Sequence, residues 1–445
     1  MSGFTTVFNQ NPEDHEFETR LGRFLKPILV LKKNVVKYST VFFKKIILMN
    51  CFVLNSFSES LILSNDNRKV LRQASLSLRM NKNSQCRENN GRRNILKTAA
   101  AVSSLSIFNA KSASAEKTGT WERISLPVDT VLFDLDFVKD TPQHGWLVGS
   151  KGTFLETLDG GETWVPRTFA NLDPDEELTY RFENVSFSGN DGWVIGKPAI
   201  MLHTKDGGKS WLRVPVSPKL PGEPVLITAL GPDRAEMTTS SGAVYETTNG
   251  GRNWKAQVKE TIDSTLNRTI SSGISGASYF TGSVIGVIRD ADGKYLAISS
   301  RGNFFLTWEP GQDFWIPRAR ETSRRIQAMG FIENNADKGI WMSTRGGGLS
   351  FTTDVELDSV NSFDFQNSDI KTGGYGILDV AYKTSKEMWA ACGGGTLYKS
   401  VDGGKTWSKD NDTGKIPGNL YKIKFFGPKQ GFVLGSSGIL LKYRS

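Results

Sequence analysis

From Gly145 onward the chain keeps repeating one unit, two short strand-like runs joined by a tight, mostly Gly- or Ser-rich turn. The copies are GWLVGSKGTFLET, GWVIGKPAIMLHT, AEMTTSSGAVYET, KYLAISSRGNFFLT, IWMSTRGGGLSFT, MWAACGGGTLYKS and GFVLGSSGILLKY. Each reads as a β-hairpin. The seven start at Gly145, Gly192, Ala235, Lys294, Ile340, Met388 and Gly431, with spacings of 43 to 59 residues. That period in strand-forming sequence belongs to four-stranded propeller blades, which bury their faces only by stacking on neighbours.

Six hairpins are followed by a turn and a further short strand, at Trp164, Trp211, Trp254, Trp315, Phe363 and Trp407. The seventh ends with the chain at Ser445, while TWERISLP, Thr120 to Pro127, stands unpaired ahead of the first. A ring closes if that segment becomes the outer strand of the last blade, which also hides two sheet edges. The expected fold is therefore all-β: a seven-bladed β-propeller closed by the N-terminal strand of the mature chain.

Four of the turns share T-x-D-G-G-x-[ST]-W or a near variant: TLDGGETW from Thr157, TKDGGKSW from Thr204, TTNGGRNW from Thr247 and SVDGGKTW from Ser400. The pattern resembles the Asp-box of sialidase-like propellers. Asp or Asn caps its own backbone, Gly-Gly supplies positive φ, and Trp packs between blades. Asp159, Asp206, Asn249 and Asp402 lie in separate blades and do not converge, so no catalytic role is assigned to them.

The formal net charge of +9 points toward an acidic partner such as nucleic acid only if the charge lies in the folded part. It does not: residues 1–115 hold 18 Lys and Arg against 7 Asp and Glu, leaving 37 against 39 from Glu116 onward. No nucleic-acid partner is expected. Cys392 is the only cysteine after the leader and the histidines there are His144 and His203, so no zinc spacing exists and neither metal nor cofactor is assigned. His203, alternating with apolar residues in IMLHT, reads as a strand residue with a satisfied ring.

Residues 91–115, GRRNILKTAAAVSSLSIFNAKSASA, have the order of an export signal: Arg92-Arg93, a mildly apolar run, then Ala113-Ser114-Ala115 before Glu116. They resemble a twin-arginine signal. Residues 1–90 are rich in Lys, Ser and Asn, with apolar stretches broken by lysines short of the ~20 residues needed to span a bilayer. A transit peptide ahead of the export signal is the natural explanation, and sequence outside the true gene the competing one. The propeller is expected over 116–445.

Alternation of strand direction sorts the loops onto two faces. Asp-boxes emerge on one, and the turns between second and third strands emerge on the other with the connections between blades. Arg301 in SSRGN and Arg345 in STRGG fall in such turns of adjacent blades. Arg318, Arg320, Arg324 and Arg325, in IPRARETSRRIQAMGF, fall on the connection between those blades, with Arg268 and Arg181 on earlier connections. Eight arginines on one face of a near-neutral domain repel one another unless an anion meets them, and guanidinium forks suit carboxylates. Pairing with Glu321, Glu183 and loop carbonyls is the alternative use for them.

The runs TLNRTISSGISGASYFTGS, SSRGNFFLTWEPGQDFW and TSRRIQAMGF resemble the photosystem II stability and assembly factors of cyanobacteria and plastids. The likeness spans Glu116 to Ser445. It implies a non-catalytic, monomeric propeller in the thylakoid lumen, peripheral to the membrane. Its implied partner is the newly made precursor of a photosystem II reaction-centre subunit, bound during early assembly and repair. The family's arginine patch maps onto Arg268, Arg301, Arg320, Arg324 and Arg325. Two alternatives remain: a propeller scaffold for another peptide, and a sialidase-like glycosidase. The latter needs an F-R-I-P start, nearest to Glu122-Arg123-Ile124-Ser125, and a Tyr nucleophile backed by Glu, which spacing does not reveal.

Overall fold

The computed structural model describes residues 120–444 except 170–178, 269–273, 275, 360, 361 and 414, so the transit and export segments lie outside the described residues. Seven four-stranded sheets are present. In the first blade Leu132–Phe137, Gly145–Gly149, Phe154–Thr157 and Val165–Pro166 succeed one another from the centre outward. In the seventh, Leu420–Phe425, Gly431–Gly435 and Leu440–Tyr443 carry Trp121–Ile124 as the outermost strand.

The closing strand runs antiparallel to the C-terminal one, with Trp121 opposite Tyr443 and Ile124 opposite Leu440. Trp121 is 2% exposed and meets Trp389 and Tyr443 edge-on at 5.3 and 5.2 Å. Arg444 donates its backbone N–H to the Thr120 carbonyl at 2.7 Å. Its guanidinium pairs with Glu122 at 2.5 Å and with Glu162, in the first Asp-box, at 2.6 Å.

Between blades the packing is apolar, each core cluster mixing residues of two neighbours; Trp146 and Phe154 of the first pack with Phe182 and Val194 of the second. Beside these contacts runs a set of directional bonds along the inner strands. Asp134 and Asp136 accept from the backbone N–H of Val185 and Phe187, Asn184 and Ser186 from Ile227 and Ala229, and Asp379 from Ile423. Buried Asp134 also holds Lys422 and Lys424 of the last blade at 3.0 and 2.6 Å. Burial pushes its carboxyl up, but the two ammonium groups outweigh that and keep it below the usual range.

The Asp-boxes are built as their pattern requires. The Asp159 carboxylate accepts from the backbone of Glu162 and Thr163 at 2.9 Å and from the hydroxyls of Thr157 and Thr163 at 2.7 and 2.5 Å. Gly161 has φ +89°, and a Cβ there would lie 2.6 Å from the Phe432 ring. The box tryptophans enter the preceding blade: Trp164 against Phe432, Trp211 against Trp146 and Trp254 against Trp193, at 6.5, 5.5 and 5.9 Å.

Two details depart from the sequence reading. The outer strand of the fifth blade is Gln366–Asn367 and not the segment at Phe363, because Phe363 plays the part of a box tryptophan and is buried against Phe305 of the blade before. The connection from third to fourth blade contains a helix, Ile262–Arg268. At 7 residues it is too short to leave a helical period in sequence, although Ile262 and Leu266 pack into the core.

Trp121→Ala should cost about 3–5 kcal/mol in urea unfolding, since it empties the closing contact of the ring. The carboxyls of Asp159, Asp206 and Asp402 lie near 2 against an ordinary 3.8. For Asp159 and Asp206 slight burial raises them and the turn hydrogen bonds more than reverse it; for Asp402 the bond from the Thr406 hydroxyl leads. The folded state therefore binds fewer protons between these values, and the stabilisation present above about pH 4 is lost as pH falls toward 2. Thermal unfolding of the Asp159→Asn, Asp206→Asn, Asp402→Asn triple variant should show a lower Tm at pH 7 and a smaller fall between pH 4 and 2.

Candidate functional site

The turn Ser300–Asn303 carries Arg301 in the fourth blade and the turn Arg345–Gly347 carries Arg345 in the fifth. Between the two blades runs the connection from Ile316–Ala319 to Ile326–Phe331, bearing Arg320, Arg324 and Arg325. Backbone bonds stitch all three segments together: Ile326 N–H to the Gly302 carbonyl at 2.8 Å and Arg345 N–H to the Arg325 carbonyl at 2.9 Å. A Cβ on Gly302 would lie 2.3 Å from the Ile326 carbonyl oxygen, so the approach that brings Arg301 beside Arg325 requires glycine there.

Arg301, Arg324, Arg325 and Arg345 are exposed, and Arg320 is half-buried. Arg320 acts as a brace: it donates to the carbonyls of Thr322 and Ser323 at 2.7 and 3.2 Å and to Asn303 Oδ1 at 3.2 Å. Arg324 reaches only the Arg345 carbonyl, at 3.5 Å. Among the described residues none of these five arginines forms a salt bridge; Glu321, exposed with φ +51°, pairs with none of them. The charge cluster is therefore held in place by backbone geometry and left electrostatically uncompensated, an arrangement that attracts anionic groups. Beside it lies a cleft of about 290 Å³ lined by Arg320, Arg324, Thr344, Ser350 and Asn367.

The other three predicted arginines sit differently. Arg318 is a correction: it lies on the outer strand of the fourth blade at 2% exposure, not on the connection. Its guanidinium donates to Thr307 Oγ1 at 2.8 Å and to the carbonyls of Glu356, Leu357 and Ser359 at 3.0, 3.0 and 2.6 Å, and stacks 4.1 Å from the Phe363 ring centre. Burial pulls its pKa down to about 10. The side chain holds the fifth blade's third-to-outer connection in place and is sealed from any partner. Arg181 opens the second blade's inner strand and is spent on Glu183 at 2.9 Å, which Lys197 shares at 3.2 Å. Arg268 ends the short helix, in the connection whose Gly276 lies against Asn303; its side chain is outside the described residues.

Asn303 and Gly302 are positioning residues that sequence reasoning missed; the only signal was a glycine following arginine in both SSRGN and STRGG. Also unseen was a possible cation cluster, in which donor atoms of Asp191, His203 and Asp233 lie within 4.8 Å of one another. The group is already occupied: His203 bonds Asp191 at 3.0 Å and stacks on Trp193, and the Lys205 ammonium sits 2.6 Å from Asp233. A Tyr–Glu pair exists as well, Tyr295 donating to Glu236 at 2.9 Å beside Arg289 at 2.6 Å. Tyr295 is 1% exposed and burial drives its hydroxyl pKa upward, the reverse of what a nucleophile needs.

Residues 113–444 match the family model described as Photosynthesis system II assembly factor YCF48. The chain belongs to this family. It is 72% identical over 328 residues to the chloroplastic photosystem II stability/assembly factor HCF136 of Guillardia theta, covering 74% of this chain and 83% of that protein. The namesake in Arabidopsis thaliana is 49% identical over 355 residues, 79% of this chain and 86% of its own. Among solved structures, YCF48 from Cyanidioschyzon merolae superposes with a TM-score of 0.70 at 60% identity, over 73% of this chain and 99% of that one. A structure titled YCF48 bound to D1 peptide gives 0.63 at 44% identity, over 74% and 96%. A GH74 xyloglucanase from Xanthomonas campestris gives 0.52 at 14% identity, over 72% and 52%, a likeness of fold alone. Members of the YCF48 family are named as assembly factors, and the seven-bladed architecture here is theirs.

Because Arg318 is spent inside the protein, Arg318→Met should lower unfolding stability by roughly 1–3 kcal/mol, since it removes the guanidinium that bonds Thr307 and ties down the loop carbonyls of Leu357 and Ser359. Arg345→Met, on the exposed turn, should leave it within about 0.5 kcal/mol of the parent in the same urea titration.

Proposed function

We propose that this protein assists early assembly and repair of photosystem II by binding the newly made precursor of the D1 reaction-centre subunit through its arginine face. The observation that carries the reading is the cluster of Arg301, Arg324, Arg325 and Arg345, braced by Arg320 and left without acidic partners, in a chain 44% identical to a YCF48 solved with D1 peptide. Arg268, at the end of the short helix in the neighbouring connection, is assigned to the same face. Arg181 is retained only as a rim residue, since Glu183 already neutralises it.

The protein works as a binding module without catalysis, as a monomer. It acts in the thylakoid lumen, peripheral to the membrane. Relatives named chloroplastic support the organelle, and the double-arginine run at 91–115 behind a transit segment at 1–90 supports delivery into the lumen, with 116–445 as the mature propeller. Among the described residues no helix is long and apolar enough to cross a membrane.

Binding of a fluorescent D1 peptide to the mature chain provides the test. Arg324→Glu with Arg325→Glu should keep the fold and the Tm while weakening binding roughly a hundredfold, and the affinity of the parent should fall with added salt. A folded double variant that binds like the parent removes the arginine face from this function. Association with some other acidic peptide and not with D1 would leave a propeller scaffold for a different partner.

A further inference from the structure

We infer that the arginine face carries a second element of recognition, an apolar seat at the mouth of the central channel, and that the bound segment joins acidic residues to bulky apolar ones. The inference rests on reading this face as the partner-binding one.

The seat comes from an irregularity repeated in every blade. Pairing between first and second strands slips by one residue near the start of every inner strand, after the first paired position in six blades and after the second in the second blade: at Leu132/Asp134, Phe182/Asn184, Pro224/Leu226, Val284/Gly286, Ile326/Ala328, Ile377/Asp379 and Leu420/Lys422. A bulge leaves one residue out of the ladder and re-aims its side chain. Each inner strand is entered from a connection on the arginine face, so the seven extra residues lie at one level around the channel mouth. Five are apolar: Phe133, Val225, Ile285, Leu378 and Tyr421.

Their surroundings mark them as a rim. The channel cavity, about 700 Å³, is lined from the following positions inward, by Asn184, Leu226, Asp379 and Lys422 among others. Ile285 is 52% exposed and Tyr421 37%, and Phe133, Val225 and Leu378 are partly exposed. Phe133 is covered on one side by the Arg181 guanidinium at 4.4 Å, and the polar bulge residue Glu183 is the acid that neutralises that arginine. The second polar one, Gln327, directly follows the stitched pair Arg325–Ile326.

Two exposed aromatic residues extend the patch. Tyr279 lies in the connection leading into the fourth blade, and Tyr375 in that leading into the sixth. The Tyr375 carbonyl approaches Gly347, two residues from Arg345, so the apolar rim adjoins the arginine cluster directly. Single exposed apolar residues are ordinary, but an equivalent position made apolar in five of seven blades, beside unpaired cations, has the composition of an interaction surface. The five bulge residues lie within inner strands around the channel and only Tyr279 and Tyr375 come from connecting loops, which suits side chains entering from a peptide better than insertion into a bilayer. The adjacent unpaired arginines select an acidic one.

The test uses the mature chain and two short fluorescent peptides, one alternating Glu and Leu, the other Glu and Ser, with anionic phosphatidylglycerol vesicles as a control surface. The parent should bind the Leu peptide at least about tenfold more tightly. Ile285→Ser with Tyr421→Ser should abolish that preference while keeping the salt dependence and the affinity for the Ser peptide. Tyr375→Ser, at another exposed site, should reduce the preference and serves if the double variant fails to fold. Equal binding of both peptides by the parent, or a preference untouched by the rim substitutions, overturns the seat and leaves the arginine reading standing. Vesicle binding lost in the rim variant without peptide discrimination overturns it in favour of a membrane contact. Binding indifferent to Arg324→Glu with Arg325→Glu, or no peptide binding at all, defeats the face as a whole.

Discussion

Apolar packing joins every pair of neighbouring blades, and at the first-to-second, second-to-third and sixth-to-seventh junctions side-chain acceptors on the inner strands add a directional constraint by taking backbone N–H groups from the next blade. Apolar packing between blades is strong but non-directional, and by itself would tolerate a sliding or tilting of one sheet over another. The bonds from Asp134 to Val185, Asn184 to Ile227 and Asp379 to Ile423 remove that freedom. At the junction where the chain's two ends meet, Asp134 also gathers two lysines of the last blade, so the closing joint has a directional lock as well as an added outer strand.

Phase between blades matters because the candidate site belongs to no single one. Arg301 comes from the fourth blade, Arg345 from the fifth, and Arg324 and Arg325 from the segment crossing between them. Only a fixed spacing lets Ile326 reach Gly302 and Arg345 reach Arg325 through backbone bonds. With the peptide groups stitched, the segments bearing Arg301, Arg325 and Arg345 adjoin one another, so their positive charges share one stretch of surface. The repeated Asp-boxes serve architecture at the opposite face, where their carboxylates are saturated by turn donors and their tryptophans tie blade to blade.

Much of this was legible because it is local. Seven hairpins, the displaced closing strand and the capping role of Asp159 follow from spacing and turn chemistry, and the same reasoning placed Arg301, Arg324, Arg325 and Arg345 on one face. It failed where a side chain's fate depends on residues far along the chain. Arg318 looked like its neighbour Arg320, two positions on, but it still lies within the outer strand, where Thr307 and the loop at Glu356 to Ser359 hold its guanidinium inside, whereas Arg320 lies past the strand's end. Phe363 looked like a strand residue, yet the preceding blade offered it a core position. Tyr295 and Glu236 lie 59 residues apart, so no local spacing could join them.

The sequence by itself determined the number of blades, the way the ring closes, the turns that link its strands and the excess of arginine on one side, since each follows from short-range conformational preference repeated at a regular period. Tertiary structure alone decided which of those arginines remain available. Charge is a property of the residue, but whether it is spent on a carbonyl, cancelled by Glu183 or left facing water depends on what the other blades bring within a few ångströms.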